Sequence, residues 1–382
     1  MSPADIYLDH AATTPLDPAV LEAMRPALET TFGNPSSVHR AGQAARRLVE
    51  RAREQVAGAI GAEPRQVHFT SGATEADNQA ILGVLAERPG GLVTSRLEHA
   101  AVLGAAGALE RRGTPVAYVA PDEHGIITPE ALEQTLDTSP ETALVALMAV
   151  NNETGALTDV AAVAEVAHRR GALVFCDAVQ ALGVEAVDVR NWGVDLLAVS
   201  GHKVHGPKGV GALCVAEGVT LGPLLLGGAQ ERGLRPGTHP VPAIVGMGAA
   251  AELAARELPV RRGRIRDARD GFEARALSVP GVERNGAGGP RSVKHSNLRV
   301  EGVDGETLLL VLDDLGVQAS AGSACSAGSV EPSHVLLAMG LDRERARASI
   351  RFSFAHSVNV DDATRAAEVF VEAVARCRRL AA

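Results

Sequence analysis

The sequence predicts an α/β fold: a large domain on a seven-stranded, mainly parallel sheet, with a smaller α/β domain beside it. Three observations carry this. Apolar runs of strand length recur between residues 67 and 215, with helical segments between them. These runs do not alternate apolar with polar residues, the pattern of strands covered on both faces. Polar clusters follow their carboxyl ends, where ligands of open α/β sheets bind.

The elements follow in order. Tyr7-Leu-Asp-His-Ala-Ala-Thr-Thr-Pro15 is a short apolar start and a small-residue turn, and residues 18–31 read as a helix. Gly33–Ser37 is loop chemistry, suited to a mobile active-site wall. Ala41–Ile60 is an amphipathic helix with Leu48, Val49, Ala52, Val56 and Ile60 at helical spacing. Seven strands are expected at Val67–Thr70, Leu92–Ser95, Pro115–Val119, Ala143–Val150, Ala172–Cys176, Asp195–Val199 and Val210–Val215. Segments 98–112, 128–136 and 158–170 read as the intervening helices.

Residues 15–256 are assigned to the large domain, and 1–14 with 257–382 to the small one. Strands near Ser296–Val300, Val317–Ser320 and Ile350–Phe354 belong to the small domain. Helices near Gly305–Leu315, Glu331–Met339 and Asp361–Arg379 cover them. The Arg-rich helix Arg261–Leu277 links the two, its charges expected on a solvated face.

Composition sets bounds. A chain of 382 residues is long enough for two domains. A net charge of −9, with no basic run interleaved with aromatics, argues against direct nucleic-acid binding. The start has no signal-peptide pattern, and no apolar run approaches the ~20 residues that span a bilayer. Cys176, Cys214, Cys325 and Cys377 are too scattered for a disulfide framework or a zinc pattern, so a cytoplasmic location is expected. His202 and His205 lack a third ligand nearby, so no metal is expected and His205 reads as structural.

Lysine usage singles out the loop Ser200-Gly-His-Lys-Val-His-Gly-Pro-Lys-Gly209. Of 37 basic residues only Lys203, Lys208 and Lys294 are lysine, and two lie here. A deprotonated lysine can attack a carbonyl and form a Schiff base, which arginine cannot. A lysine can also be a solvated surface charge; Lys203, flanked by Ser200 and His202 at a strand end, is the covalent candidate. Ser71-Gly-Ala-Thr74 turns from a strand into a helix running to about Ala86. Such a turn suits a phosphate or is a plain helix cap. Asp177 ends another strand, and His99 is placed to stack on a flat ring. A Schiff-base lysine, a phosphate cradle and a strand-end aspartate are the parts of a pyridoxal 5'-phosphate site.

These residues carry a resemblance. Tyr-Leu-Asp-x-Ala-Ala-Thr-Thr, Gly33–Ser37, Thr70–Asn78, Asn151–Gly155, Cys176–Gln180, Ser200–Gly209, Arg235-Pro-Gly-Thr238 and Gly322–Gly328 together resemble the cysteine desulfurases. These are enzymes of the pyridoxal-phosphate fold type I, class V aminotransferase superfamily. The similarity is to the longer-loop subgroup that supplies sulfur for iron–sulfur cluster assembly, and it runs from Tyr7 to about Ser353.

The resemblance implies a fold and a set of roles. Lys203 should carry the cofactor and move protons. Asp177 should pair with the pyridine nitrogen, Gln180 should bond the ring hydroxyl, and His99 should stack on the ring. Ala73, Thr74, Ser200 and His202 should hold the phosphate. Thr238 should reach the phosphate of a neighbouring subunit in a homodimer with shared sites. Asn152 should line the pocket, and Arg351 should grip the carboxylate of L-cysteine. Cys325, among small residues in Ala321–Ser329, should take the sulfur as a persulfide and pass it to an acceptor protein, a cluster scaffold or thiolation enzyme. Two departures stand out: Ala355-His356 replaces the family's frequent Gly-Arg, and the tail after Cys325 is short.

Overall fold

The computed structural model describes residues 5–139, 141–321 and 331–381. Its strands are β1 (Ile6–Tyr7), β2 (Val67–Thr70), β3 (Gly91–Ser95), β4 (Val116–Val119), β5 (Thr142–Met148), β6 (Leu173–Asp177), β7 (Leu196–Ser200), β8 (Gly211–Val215), β9 (Val282–Arg284), β10 (His295–Val300), β11 (Val317–Gln318) and β12 (Ser349–Ser353). Seven form one sheet in the order β2-β8-β7-β6-β5-β3-β4. Every residue of β2, β5, β7 and β8 is buried, as the unbroken apolar runs predict for strands covered on both faces.

Only β8 runs against its neighbours in this sheet. The reversal places its first residue, Gly211, opposite the last residues of β2 and β7, Thr70 and Ser200. On the far side of β7, Asp177 at the end of β6 pairs with Ala198, and its other neighbour is Met148. The carboxyl ends of β2, β5, β6 and β7 therefore meet along one edge.

Helix Arg40–Ala59 buries Val49, Ala52 and Val56, one face of the expected stripe. It packs on helix Val241–Arg256, which the sequence pattern does not announce because Gly246 and Gly248 lower helix propensity. Their use is close approach: a Cβ on Gly248 would stand 2.6 Å from Ala52 Cα.

A second region holds the antiparallel sheet β12-β10-β9 and the parallel pair β1–β11. Its core centres on Phe272, which stacks on Phe352, Phe354 and Phe370 at centroid distances of 4.6, 5.5 and 6.0 Å. Ile6 and Leu8 join this core from the other end of the chain. Residues 331–339 are helical only over His334–Ala338.

The Arg-rich helix runs Leu258–Ala276 and departs from expectation. Arg261, Arg269 and Glu273 are buried on it. Arg261 pairs with Glu257, Arg269 with Asp270, and Glu273 with Arg291. Long side chains with partners can cover apolar surface as well as face water.

Glu231 fastens the sheet's outer strand. Its carboxylate accepts from Arg53 at 2.7 and 2.9 Å and from the Phe69 N–H at 2.9 Å, and it pairs with His239 at 2.6 Å. Burial alone would raise its pKa, but the bonds from Arg53 and His239 outweigh burial and hold it well below the usual range. Removing one partner of a buried pair leaves an uncompensated charge. Glu231→Gln should therefore destabilise the protein by about 3 kcal/mol, read as a lower denaturation midpoint; an unchanged midpoint would refute the anchoring role.

Candidate active site

Along the edge where those strands end lies a cavity of about 750 Å³. Ala73, Thr74, His99, Asn152, Asp177, Gln180, Ser200, His202, Lys203 and Arg351 all line it. Thr238 does not; it sits on an exposed segment. Gly33–Ser37, expected as a wall, is absent from the lining and packs on the helix behind it. A Cβ on Gly33 would meet the Ala41 carbonyl oxygen at 2.2 Å. Cys325 lies outside the described residues.

Lys203 follows β7 in a single 3-10 turn, Gly201–Lys203. Its Nζ donates to the carbonyls of Ala11 at 2.5 Å and Ala12 at 2.8 Å. Gln180 Nε2 donates to the same Ala11 carbonyl at 2.9 Å. The wall of residues 11–13 was not anticipated, since alanines carry no chemical signal. Lys208 also lines the cavity.

One end of the cavity is built for an anion. Helix Ala73–Glu87 begins there with no side-chain cap on its free N–H groups. A Cβ on Gly72 would meet nothing within 4 Å, so the backbone is open to a ligand. Ser200 Oγ is buried and has no hydrogen-bond partner among the described residues. Gly211 brings these together: a Cβ on it would stand 2.6 Å from the Gly72 carbonyl carbon.

The base of the cavity is acidic. Asp177 accepts the Val179 N–H at 2.9 Å. Burial raises its pKa, while that N–H and the charges of His99 and Lys203 oppose the rise. Burial, with the nearby Asp177 and Glu98, pushes Asp77 far higher. Burial disfavours charge on both, but Asp177 has an N–H donor and the nearby charges of His99 and Lys203 to favour its charged form, whereas the Asp77 oxygens have no hydrogen-bond partner among the described residues. His99 caps helix Ala100–Arg111 through Nδ1, which accepts the Ala101 N–H at 3.2 Å and fixes the ring.

The other wall belongs to Arg351 on β12, 2% exposed. One arm of its guanidinium donates to Asp9 at 2.7 Å and another to the Asn152 carbonyl at 2.9 Å. Asn152 Oδ1 has no partner among the described residues. Glu153 lies beside it, buried and bonded by Ser333 Oγ at 2.5 Å. His205 serves the scaffold: its N–H donates to Thr14 Oγ1 at 2.8 Å. The remaining described cysteines, Cys176, Cys214 and Cys377, are buried away from the cavity, and burial pushes each thiol's pKa up.

Residues 6–365 match the family model for class-V aminotransferases. The chain belongs to the class-V aminotransferase family. Within it, the chain is 40% identical over 378 residues to the cysteine desulfurase IscS of Methanosarcina thermophila, covering 98% of this chain and 93% of that one. A NifS-like protein of known structure superposes with a TM-score of 0.90 at 33% identity, over 97% of this chain and all of that one. SspA, solved in complex with cysteine, gives 0.81 at 35% identity, over 91% and 98%.

Members of this family are pyridoxal-phosphate enzymes, and the residues present fit that group. The uncapped helix start, the open Gly72 backbone and the unpartnered Ser200 Oγ suit a phosphate. The carboxyl of Asp177, whose charge burial disfavours, suits a protonated ring nitrogen. Gly211→Ala should push Gly72 out of place. Retention of pyridoxal phosphate should fall about tenfold or more, since ~1.4 kcal/mol of lost contact suffices; wild-type retention would argue against the cradle.

Buried and half-buried histidines that neighbour Ala11, Lys203 and Lys294 in the chain are held neutral, and of these His202 lines the cavity. Burial lowers His10 to about 3, His202 to about 4 and His205 to about 3, and holds His295 well below its ordinary range. Each has a folded pKa below its ordinary 6.5, so its contribution is present above that value and lost as pH falls. The melting temperature should decline steadily from about pH 6.5 toward pH 4; a flat profile across that window would contradict neutral burial.

Proposed function

We propose that this protein is a pyridoxal-phosphate-dependent cysteine desulfurase, which converts L-cysteine to L-alanine and passes the sulfur on through a persulfide. The observation that carries the reading is Lys203. It rests on two carbonyls of a cavity with an acidic base at Asp177 and an anion cradle at its far end.

The bound cofactor supplies an electron sink that lets the α C–H bond of an amino acid ionise. The protein supplies the rest. Ala73, Thr74, Ser200 and His202 hold the phosphate, joined by Thr238 from a second copy of the chain in a homodimer. Asp177 keeps the ring nitrogen protonated, Gln180 donates to the ring hydroxyl, and His99 covers the ring and excludes water from that side. Arg351 takes the substrate carboxylate in a two-armed grip, with Asn152 alongside. Lys203 carries the cofactor at rest, then takes the α-proton and returns it.

Cys325 acts as thiolate on the substrate sulfur. A sulfur–sulfur bond forms and the substrate carbon–sulfur bond breaks. Its electron pair passes to Cβ, which gains a proton and becomes the methyl group of alanine. A thiol or acceptor protein, such as a cluster scaffold or a thiolation enzyme, then removes the terminal sulfur. No helix among the described residues is long and apolar enough to cross a membrane. We place the reaction in the cytoplasm, where Cys325 stays reduced between turnovers.

Purified protein given L-cysteine and a thiol reductant should release sulfide and alanine in equal amounts. Cys325→Ser should retain cofactor yet release no sulfide; full activity in this variant would remove Cys325 from the mechanism. Lys203→Ala should lose the visible absorbance of the bound cofactor and both products. An unchanged spectrum would transfer attachment to Lys208.

A further inference from the structure

Lys294 is the third lysine of the chain, and it stands apart from Lys203 and Lys208 because it does not line the large cavity. It leads into β10 and is 4% exposed. With Lys203 it borders a separate void of about 20 Å³, about the size of one water. Lys294 Nζ donates to Gln180 Oε1 at 3.2 Å, while Gln180 Nε2 donates to the Ala11 carbonyl that also receives Lys203. One amide and one carbonyl thus join the two lysines.

Chemistry forces the direction of this chain of bonds. A peptide carbonyl only accepts, so Gln180 must turn its NH2 to Ala11, which leaves its oxygen toward Lys294. Without Lys294, the buried Gln180 oxygen would lose the donor that holds it. The charges around Lys294 are also one-sided. Lys203 and Arg351 repel its ammonium, and Asp9 alone among the groups acting on it attracts. His10, His202, His205 and His295 face it in the neutral form. Burial first, then the charges of Lys203 and Arg351, lower Lys294 to about 7. A buried lysine without a carboxylate partner among the described residues costs stability.

We propose that Lys294 is a positioning residue: it fixes the Gln180 amide with its NH2 edge toward the cavity wall and sets a positive charge behind Lys203, so that the amine of Lys203 is held ready to act as a base. The proposal rests on the desulfurase reading, in which Lys203 must take and return a proton. Lys294 carries its charge below about pH 7, and in that range a like charge disfavours protonation, so removing it should make Lys203 hold its proton, or that of its bond to the cofactor, to higher pH.

The test compares cofactor-loaded wild type with Lys294→Met, which removes donor and charge at similar length, and Lys294→Gln, which removes the charge and retains an N–H. The pH midpoint of the visible absorbance should rise by about one unit in both variants. Retention of pyridoxal phosphate should fall in Lys294→Met and stay near wild type in Lys294→Gln. At pH 7, kcat should drop more than KM changes, with the loss recovered at higher pH. If Lys294→Met does not fold, Lys294→Gln carries the charge test alone. Unchanged midpoints beside a normal wild-type spectrum overturn the role of Lys294. A wild-type protein that takes up no pyridoxal phosphate overturns the desulfurase reading beneath it.

Discussion

The N–H of Ala11 donates to Ser353 Oγ at 2.8 Å, while its carbonyl accepts from Gln180 and Lys203. This one residue stands between two parts of the molecule that share few strands. Ser353 ends β12, which carries Arg351; Gln180 and Lys203 follow β6 and β7 of the large sheet. The flanking bonds repeat the pattern. Leu8 gives its carbonyl to the Ser353 N–H, and Thr14 donates through both N–H and hydroxyl to the His202 carbonyl. The distance between Arg351 and Lys203 is therefore set through residues 8–14. A rigid frame of this kind is what a site needs when a small misplacement costs a large factor in rate.

Much of this was legible in the sequence, for a physical reason. Residues at the carboxyl ends of parallel strands converge whatever the details of packing, so Asp177, Ser200, Lys203 and His99 could be gathered from strand ends alone. Asn152, just beyond the end of β5, belongs to the same strand-end set, whereas motif resemblance added Arg351, which lies far away in sequence and enters from β12. What stayed hidden acts through backbone or through absence. Ala11 and Ala12 contribute carbonyls, which every residue has. Gly211 contributes a missing side chain at a strand reversal that no apolar run can signal. Helix Val241–Arg256 is masked by the glycines that let it pack. Lys294 had a signal, its rarity, yet nothing in the sequence says which lysine is buried. The helix Leu258–Ala276 misled because arginine usually means water.

The electrostatics of the cavity show a consistent division. Carboxyls crowd its base, where Asp77, Glu98 and Asp177 are all buried and burial raises each pKa. Cations gather at its walls, where Lys203 and Arg351 line the cavity and Lys294 stands behind them. His202, held neutral by burial, also lines the cavity. A planar ligand with a cationic edge and an anionic tail would relieve both sides at once, so the folded chain holds strain of charge that its ligand removes. Perturbed titratable groups gathered in one cleft are a common mark of function.

The three described cysteines bear on the handling of sulfur. Exchange between sulfur atoms requires an accessible thiolate as the attacking group. Cys176 and Cys214 are locked in the middle of the sheet, and Cys377 is buried on the last helix. On the desulfurase reading, a sulfur atom carried by Cys325 would find no second nucleophile among these three to which it could stray. On that reading the chain is chemically insulated against its own cargo, and delivery is directed in part by the thiols it conceals.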